Sequence, residues 1–117
     1  MRLNEVEFDD SRPVDGYGPG FFRIGGEVVQ GAVTILPSGI AAWGGYGDTA
    51  YLVERAAEID VLFIGTGADI AAVPALLRQT LEGAGIGVEV MATPSACRTY
   101  NVLLSEGRRV GVAMLPV

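Results

Sequence analysis

Residues 60–115, DVLFIGTGADIAAVPALLRQTLEGAGIGVEVMATPSACRTYNVLLSEGRRVGVAML, alternate strand and helix signals, and that alternation decides the fold. Val61-Leu62-Phe63-Ile64, bounded by Asp60 and Gly65, is a continuous apolar run, the pattern of a strand covered on both faces. Leu76, Leu77, Thr80 and Leu81 recur at helical spacing, and Gly83 to Gly85 end that helix. Gly87 to Met91 reads as the next strand. Thr93-Pro94 opens another helix, with a hydroxyl to cap it and proline at the first helical position, where no N–H is missed. Gly107 closes that helix, and Arg109 to Leu115 is the last strand. Two successive β-α-β units imply parallel strands joined by right-handed crossovers, so the core is α/β.

Upstream, Phe21 to Trp43 reads as an antiparallel meander. Phe21 to Ile24 and Glu27 to Gln30 are joined by Gly25-Gly26, a hairpin signal because glycine accepts the positive φ of primed turns. Ala32 to Leu36 turns through Pro37-Ser38-Gly39 into Ile40 to Trp43. Asp48-Thr49 then caps a short helix over Ala50 to Glu58. Residues 1–20 hold five of the fourteen acids, two prolines and three glycines without sustained periodicity. They read as an extended arm, in which Leu3, Val6 and Phe8 alternate as in a short strand, and 21–117 as a single α/β domain with a mixed sheet. Gly16-Tyr17-Gly18-Pro19-Gly20 follows no strand and opens no helix, so it does not read as a phosphate cradle.

Composition excludes more than it implies. Without His there is no Ser-His-Asp or Cys-His relay and no imidazole ligand; without Lys there is no Walker lysine or Schiff base. A single cysteine, Cys97, allows no internal disulfide and no thiolate zinc site, and no metal or cofactor is expected. The net charge of −6 repels phosphate backbones, so nucleic acid is not an expected partner. No apolar run approaches the ~20 residues that cross a bilayer, and Glu5, Glu7, Asp9 and Asp10 oppose a signal or transit peptide. A cytoplasmic protein, not integral to a membrane, is the expectation.

One ligand site can be drawn. In open parallel sheets, ligands gather beyond the carboxyl ends of the strands. Gly65-Thr66-Gly67 and Ala92-Thr93 follow two such strands, and Thr66 to Val73 is a long connection ahead of Pro74. Backbone N–H groups at the glycines, the Thr93 hydroxyl, a helix dipole and Arg98 would together take a small anion, with Asn101 beside them. Trp43, Asp69 and Tyr100 would edge that pocket. Each residue also has a plainer reading. The glycines can be tight turns and Thr93 only a cap. Arg98 can pair with Asp69, Tyr100 and Asn101 can brace strand ends, and Trp43 can be core beside a flexible loop. Cys97 reads as a buried, inert thiol.

Val90 to Leu103 with Glu106-Gly107-Arg108, together with Ile64 to Gly67 and Ile40 to Trp43, resembles the signature of a small uncharacterised-domain family. That family includes mitochondrial complex I assembly factor 3 and an adipogenesis-associated cytoplasmic protein, and the likeness runs from about Phe21 to Leu115. It implies a three-layer α/β fold, a bacterial form of the family, and no settled enzymatic activity. Two functions stand as expectations. The first is a non-enzymatic interaction or assembly factor with a protein partner, a membrane complex by resemblance, marked by an exposed apolar patch. The second is a binder of, or enzyme acting on, a small anion, marked by a closed pocket with convergent donors. Without His or Lys, catalysis would rest on Asp69, Tyr100 or Cys97, and the balance lies against an enzyme.

Overall fold

The computed structural model describes residues 11–117. Its centre is a five-stranded mixed sheet in the order β5-β4-β8-β6-β7, with β4 Val33–Leu36, β5 Gly39–Ala42, β6 Val61–Thr66, β7 Gly87–Met91 and β8 Val110–Leu115. β6 lies between β7 and β8 and is parallel to both; β4 is antiparallel to β8 and β5. The parallel half expected from residues 60–115 is therefore present. Alternation along the inner strands divides the core in two. Phe63, Val110, Val112 and Met114 face one layer, while Leu62, Ile64 and Ala113 face the other.

The first layer holds α3, Thr93–Ser105, which buries Thr93, Ala96, Cys97 and Tyr100 at helical spacing. Beside it packs a separate antiparallel sheet, β1 Val14–Gly18, β2 Phe21–Ile24 and β3 Glu27–Gln30, through Val14, Phe22 and Ile24. The opposite layer holds α1, Ala50–Glu54, and α2, Ala75–Gly83, over Trp43, Leu52, Leu77 and Leu81. These are three layers of secondary structure.

Several local readings hold and several change. The β2–β3 turn has Gly25 at φ +56° and Gly26 at φ +87°, the geometry only a primed turn needs. The expected meander is instead split between two sheets, because β4 finds a distant partner in β8 and leaves β3 at the edge of the smaller sheet. Val14–Gly18, inside the stretch read as an arm, forms β1; the alternation at Leu3, Val6 and Phe8 lies outside the described residues. The helix expected over Ala50 to Glu58 stops at Glu54 and continues as a 3₁₀ turn, Ala56–Glu58. That turn carries the buried Glu58 carboxylate to the Ser38 N–H, 3.0 Å away, and so clamps the β4–β5 turn. Asp48 and Thr49 make no side-chain cap. The Asp48 carboxylate accepts from the Gly44 N–H at 2.8 Å instead.

Candidate functional site

At the carboxyl ends of β6 and β7 the chain builds two different surfaces, one sealed and one open. The sealed one is a seam between the end of β6 and the start of α3. The Gly67 N–H donates to Thr93 Oγ1 at 2.9 Å, and the Thr93 N–H donates to the Gly67 carbonyl at 2.8 Å. The Thr93 hydroxyl in turn donates to the Leu115 carbonyl at 2.7 Å, so one fully buried side chain stitches β6, α3 and β8. This corrects the reading of Thr93 as a helix cap. Ala92 is the residue that caps α3, and Thr93 already lies within the helix. Gly65 is glycine because of the same contact. A Cβ there would stand 2.6 Å from Thr93 Oγ1 and 3.0 Å from its Cα. Among the described residues, every buried side-chain N or O atom has a hydrogen-bond partner.

The remaining residues drawn into the anion site are distributed around the fold. Arg98 is exposed on α3, and its guanidinium reaches Ser95 Oγ at 3.3 Å. Asn101 uses both ends of its amide on β1, accepting from the Val14 N–H and donating to the Val14 carbonyl, each at 2.8 Å. Tyr100, fully buried, donates its hydroxyl to the Arg12 carbonyl at 2.9 Å, and burial holds its phenol well above the ordinary range. Tyr100 and Asn101 thus pin the start of β1 across more than eighty positions of chain. Trp43 belongs to the α1/α2 layer, across the sheet from Tyr100; its indole N–H donates to the Asp48 carbonyl at 3.1 Å and its ring meets Tyr46 edge-on. Asp69 is exposed on the loop after β6.

Cys97 packs in the α3 layer with its sulfur 3.4 Å from Met114 Sδ. Desolvation pushes its thiol pKa up to about 11, outweighing the lowering by the neighbouring Arg98 charge and a backbone hydrogen bond. Such a thiol is almost entirely protonated at neutral pH and is a poor nucleophile.

The open surface starts from Thr66, between the two glycines of the seam. Thr66 Oγ1 donates to the Asp69 carbonyl at 2.7 Å and accepts from the Ala71 N–H at 3.1 Å, which folds the loop back on itself. The loop then presents Ile70, 67% exposed, and leads through Pro74 into α2, whose first turn presents Leu76, 72% exposed. Beside Leu76 an apolar groove of about 180 Å³ runs between the two walls formed by Tyr46, Gly47 and Thr49 and by Pro74, Leu77 and Thr80. Leu76 corrects the helical stripe read from the sequence. Leu77 and Leu81 define the buried face of α2, and Leu76 stands about 100° away from Leu77 around the helix. Sequence reasoning passed over Ile70 and placed Leu76 on the helical stripe with Leu77 and Leu81. The available signal was the run Ile70-Ala71-Ala72-Val73-Pro74-Ala75-Leu76, apolar throughout yet too broken by proline to be a buried element.

Comparison with known proteins follows the same architecture. A protein of Rhodobacter capsulatus described as uncharacterized is 50% identical over 117 residues, spanning 100% of this chain and 94% of its own. The NADH dehydrogenase [ubiquinone] 1 alpha subcomplex assembly factor 3 of Danio rerio is 38% identical over 125 residues, spanning 99% of this chain and 71% of its own. A crystal structure described as an outer membrane protein from Bartonella henselae superposes with a TM-score of 0.84 at 35% identity, over 92% of this chain and 97% of that one. The model of a family described as "Protein of unknown function (DUF498/DUF598)" matches residues 14–115, nearly all of the described structure, and the chain belongs to that family.

Proposed function

We propose that this chain is a non-enzymatic interaction factor of the cytoplasm that serves the assembly of a multi-subunit complex, the respiratory NADH dehydrogenase by analogy with its relatives. The observation that carries this reading is the open surface. A loop held in shape by Thr66 displays Ile70, and the adjoining helix displays Leu76 beside an apolar groove. Burying an apolar side chain of that size in a partner is worth roughly 1.5–3 kcal/mol, so leaving two of them in water has a cost that binding recovers. The named function of the assembly-factor relatives points the same way. Among the described residues no helix is long and apolar enough to cross a membrane, so a membrane complex would be met from outside the bilayer.

The test is genetic and quantitative. The gene is deleted from its host, and assembled NADH dehydrogenase is measured by native gel with in-gel activity. The expected result is loss of assembled complex, restored by the wild-type chain. Full assembly in the deletion strain would refute the role.

A further inference from the structure

We infer that the groove beside Leu76 receives one or two apolar side chains from a basic protein segment, whose Lys or Arg residues meet Asp48, set between two lining residues, and the exposed Asp69 on the loop that leads into α2. This deepens the proposed interaction role and rests on it. Size is the first argument. At about 180 Å³ the groove falls below the roughly 300 Å³ at which small-molecule pockets begin, yet it suits a single inserted anchor. Its lining supplies three hydroxyls, from Tyr46 and Thr49 on one wall and Thr80 on the other, and no charged side chain.

Charge is the second argument, and it selects the partner. The chain carries −6 with no lysine. Asp48 stands in the chain between the wall residues Gly47 and Thr49, part-exposed with one carboxylate oxygen accepting from the Gly44 N–H, and Asp69 is exposed on the loop leading to Pro74. The arginines on the two neighbouring helices are already engaged. Arg55 lies 3.7 Å over the Tyr51 ring and pairs with Glu54 at 3.4 Å. Arg78 pairs with Glu82 at 3.1 Å and donates to the Val88 carbonyl. A second copy of this chain would bring like charges together at such a face, whereas a basic segment complements it.

The probes are two synthetic amphipathic helices about 18 residues long, enough to hold a helix, with the same leucine face and either Lys or Glu on the polar face. Each is titrated into the ¹⁵N-labelled full chain. The expected result is that the Lys peptide shifts amides of Gly47, Thr49, Ile70, Leu76 and Thr80 and binds at least about tenfold more tightly than the Glu peptide. Asp69→Asn should narrow that gap, and Leu76→Asp should abolish binding while the melting temperature holds. Equal binding of the two peptides, shifts confined to other residues, or self-association in sedimentation that Leu76→Asp removes would each overturn the inference. Complementing the deletion strain with Leu76→Asp separates the two ideas: an assembly role that survives this change keeps the function and rejects the groove. Peptide binding in a chain whose deletion leaves assembly intact does the reverse.

Discussion

The seam at Gly65–Gly67 and Thr93 and the loop from Thr66 to Leu76 start from the same strand end, and their chemistry is opposite. In the seam every hydrogen-bonding group of Thr93 is satisfied inside the protein, and no Cβ fits at Gly65. In the loop Thr66 holds the Asp69 carbonyl and the Ala71 N–H, but the apolar side chains of Ile70 and Leu76 are left in water. The contrast teaches that a glycine-rich strand end can be a packing device, while the apolar side chains left in water lie beside it. Polar groups facing one another make a ligand site only if they are left without internal partners.

The sharpest way to break the comparison is Gly65→Ala. Its new methyl would meet the Thr93 backbone as well as the hydroxyl, neither of which can swing away. A loss of about 3 kcal/mol in urea unfolding is expected, at the upper end for overpacking. Unchanged stability would mean that the seam is loose enough to admit a ligand. Thr93→Val is the next test, because it keeps the shape and removes both hydroxyl bonds, leaving the Gly67 N–H and the Leu115 carbonyl without that partner. We expect a loss of about 2 kcal/mol, with Thr93→Ser recovering part of it.

Cys97 probes the same layer one helical turn further along α3. Cys97→Ala should cost about 1–2 kcal/mol, and a bulky thiol reagent should label the native protein slowly. Its pH behaviour has a definite sign. The folded-state pKa is raised from 9.0 to about 11, so the contribution is complete below pH 9 and is lost as pH rises toward 11. Burial raises Tyr100 as well, adding to the alkaline loss. Chemical denaturation between pH 7 and pH 11 reads this directly, and a stability that increases over that range would contradict the burial of both groups.

The smallest effects are expected on the exposed side. Arg98→Ala should change stability by less than about 0.5 kcal/mol, since the side chain is exposed and reaches only the Ser95 hydroxyl among the described residues. Phosphate and citrate should leave the melting temperatures of wild type and Arg98→Ala alike. A melting temperature that climbs with either anion in the wild type alone would restore a ligand to the α3 start and redraw the comparison.

Much of the frame was legible because its signals are local. The apolar run Val61 to Ile64 could only be a strand covered on both sides, and Gly25-Gly26 could only be a tight hairpin. Gly87 to Met91 matches β7 residue for residue. The site was less legible. Thr93 carries the sequence signature of a cap, but its hydroxyl bonds Gly67 and Leu115, and the chain order shows neither neighbour. Trp43 and Tyr100 are both large and aromatic, and nothing in their spacing reveals that the sheet stands between them.

By itself the sequence determined most of the strands and helices from Phe21 onward, where they turn, and which side-chain chemistries are absent. Those properties follow from periodicity, backbone freedom and the inventory of side chains, each of which is set within a few residues. Tertiary structure alone decided that β4 leaves the meander for β8, that Asn101 and Tyr100 hold β1, and that Leu76 faces water. These outcomes depend on contacts between segments distant in the chain. A hydrogen bond or a buried face belongs to whichever neighbour the fold brings within reach, and no local pattern names that neighbour.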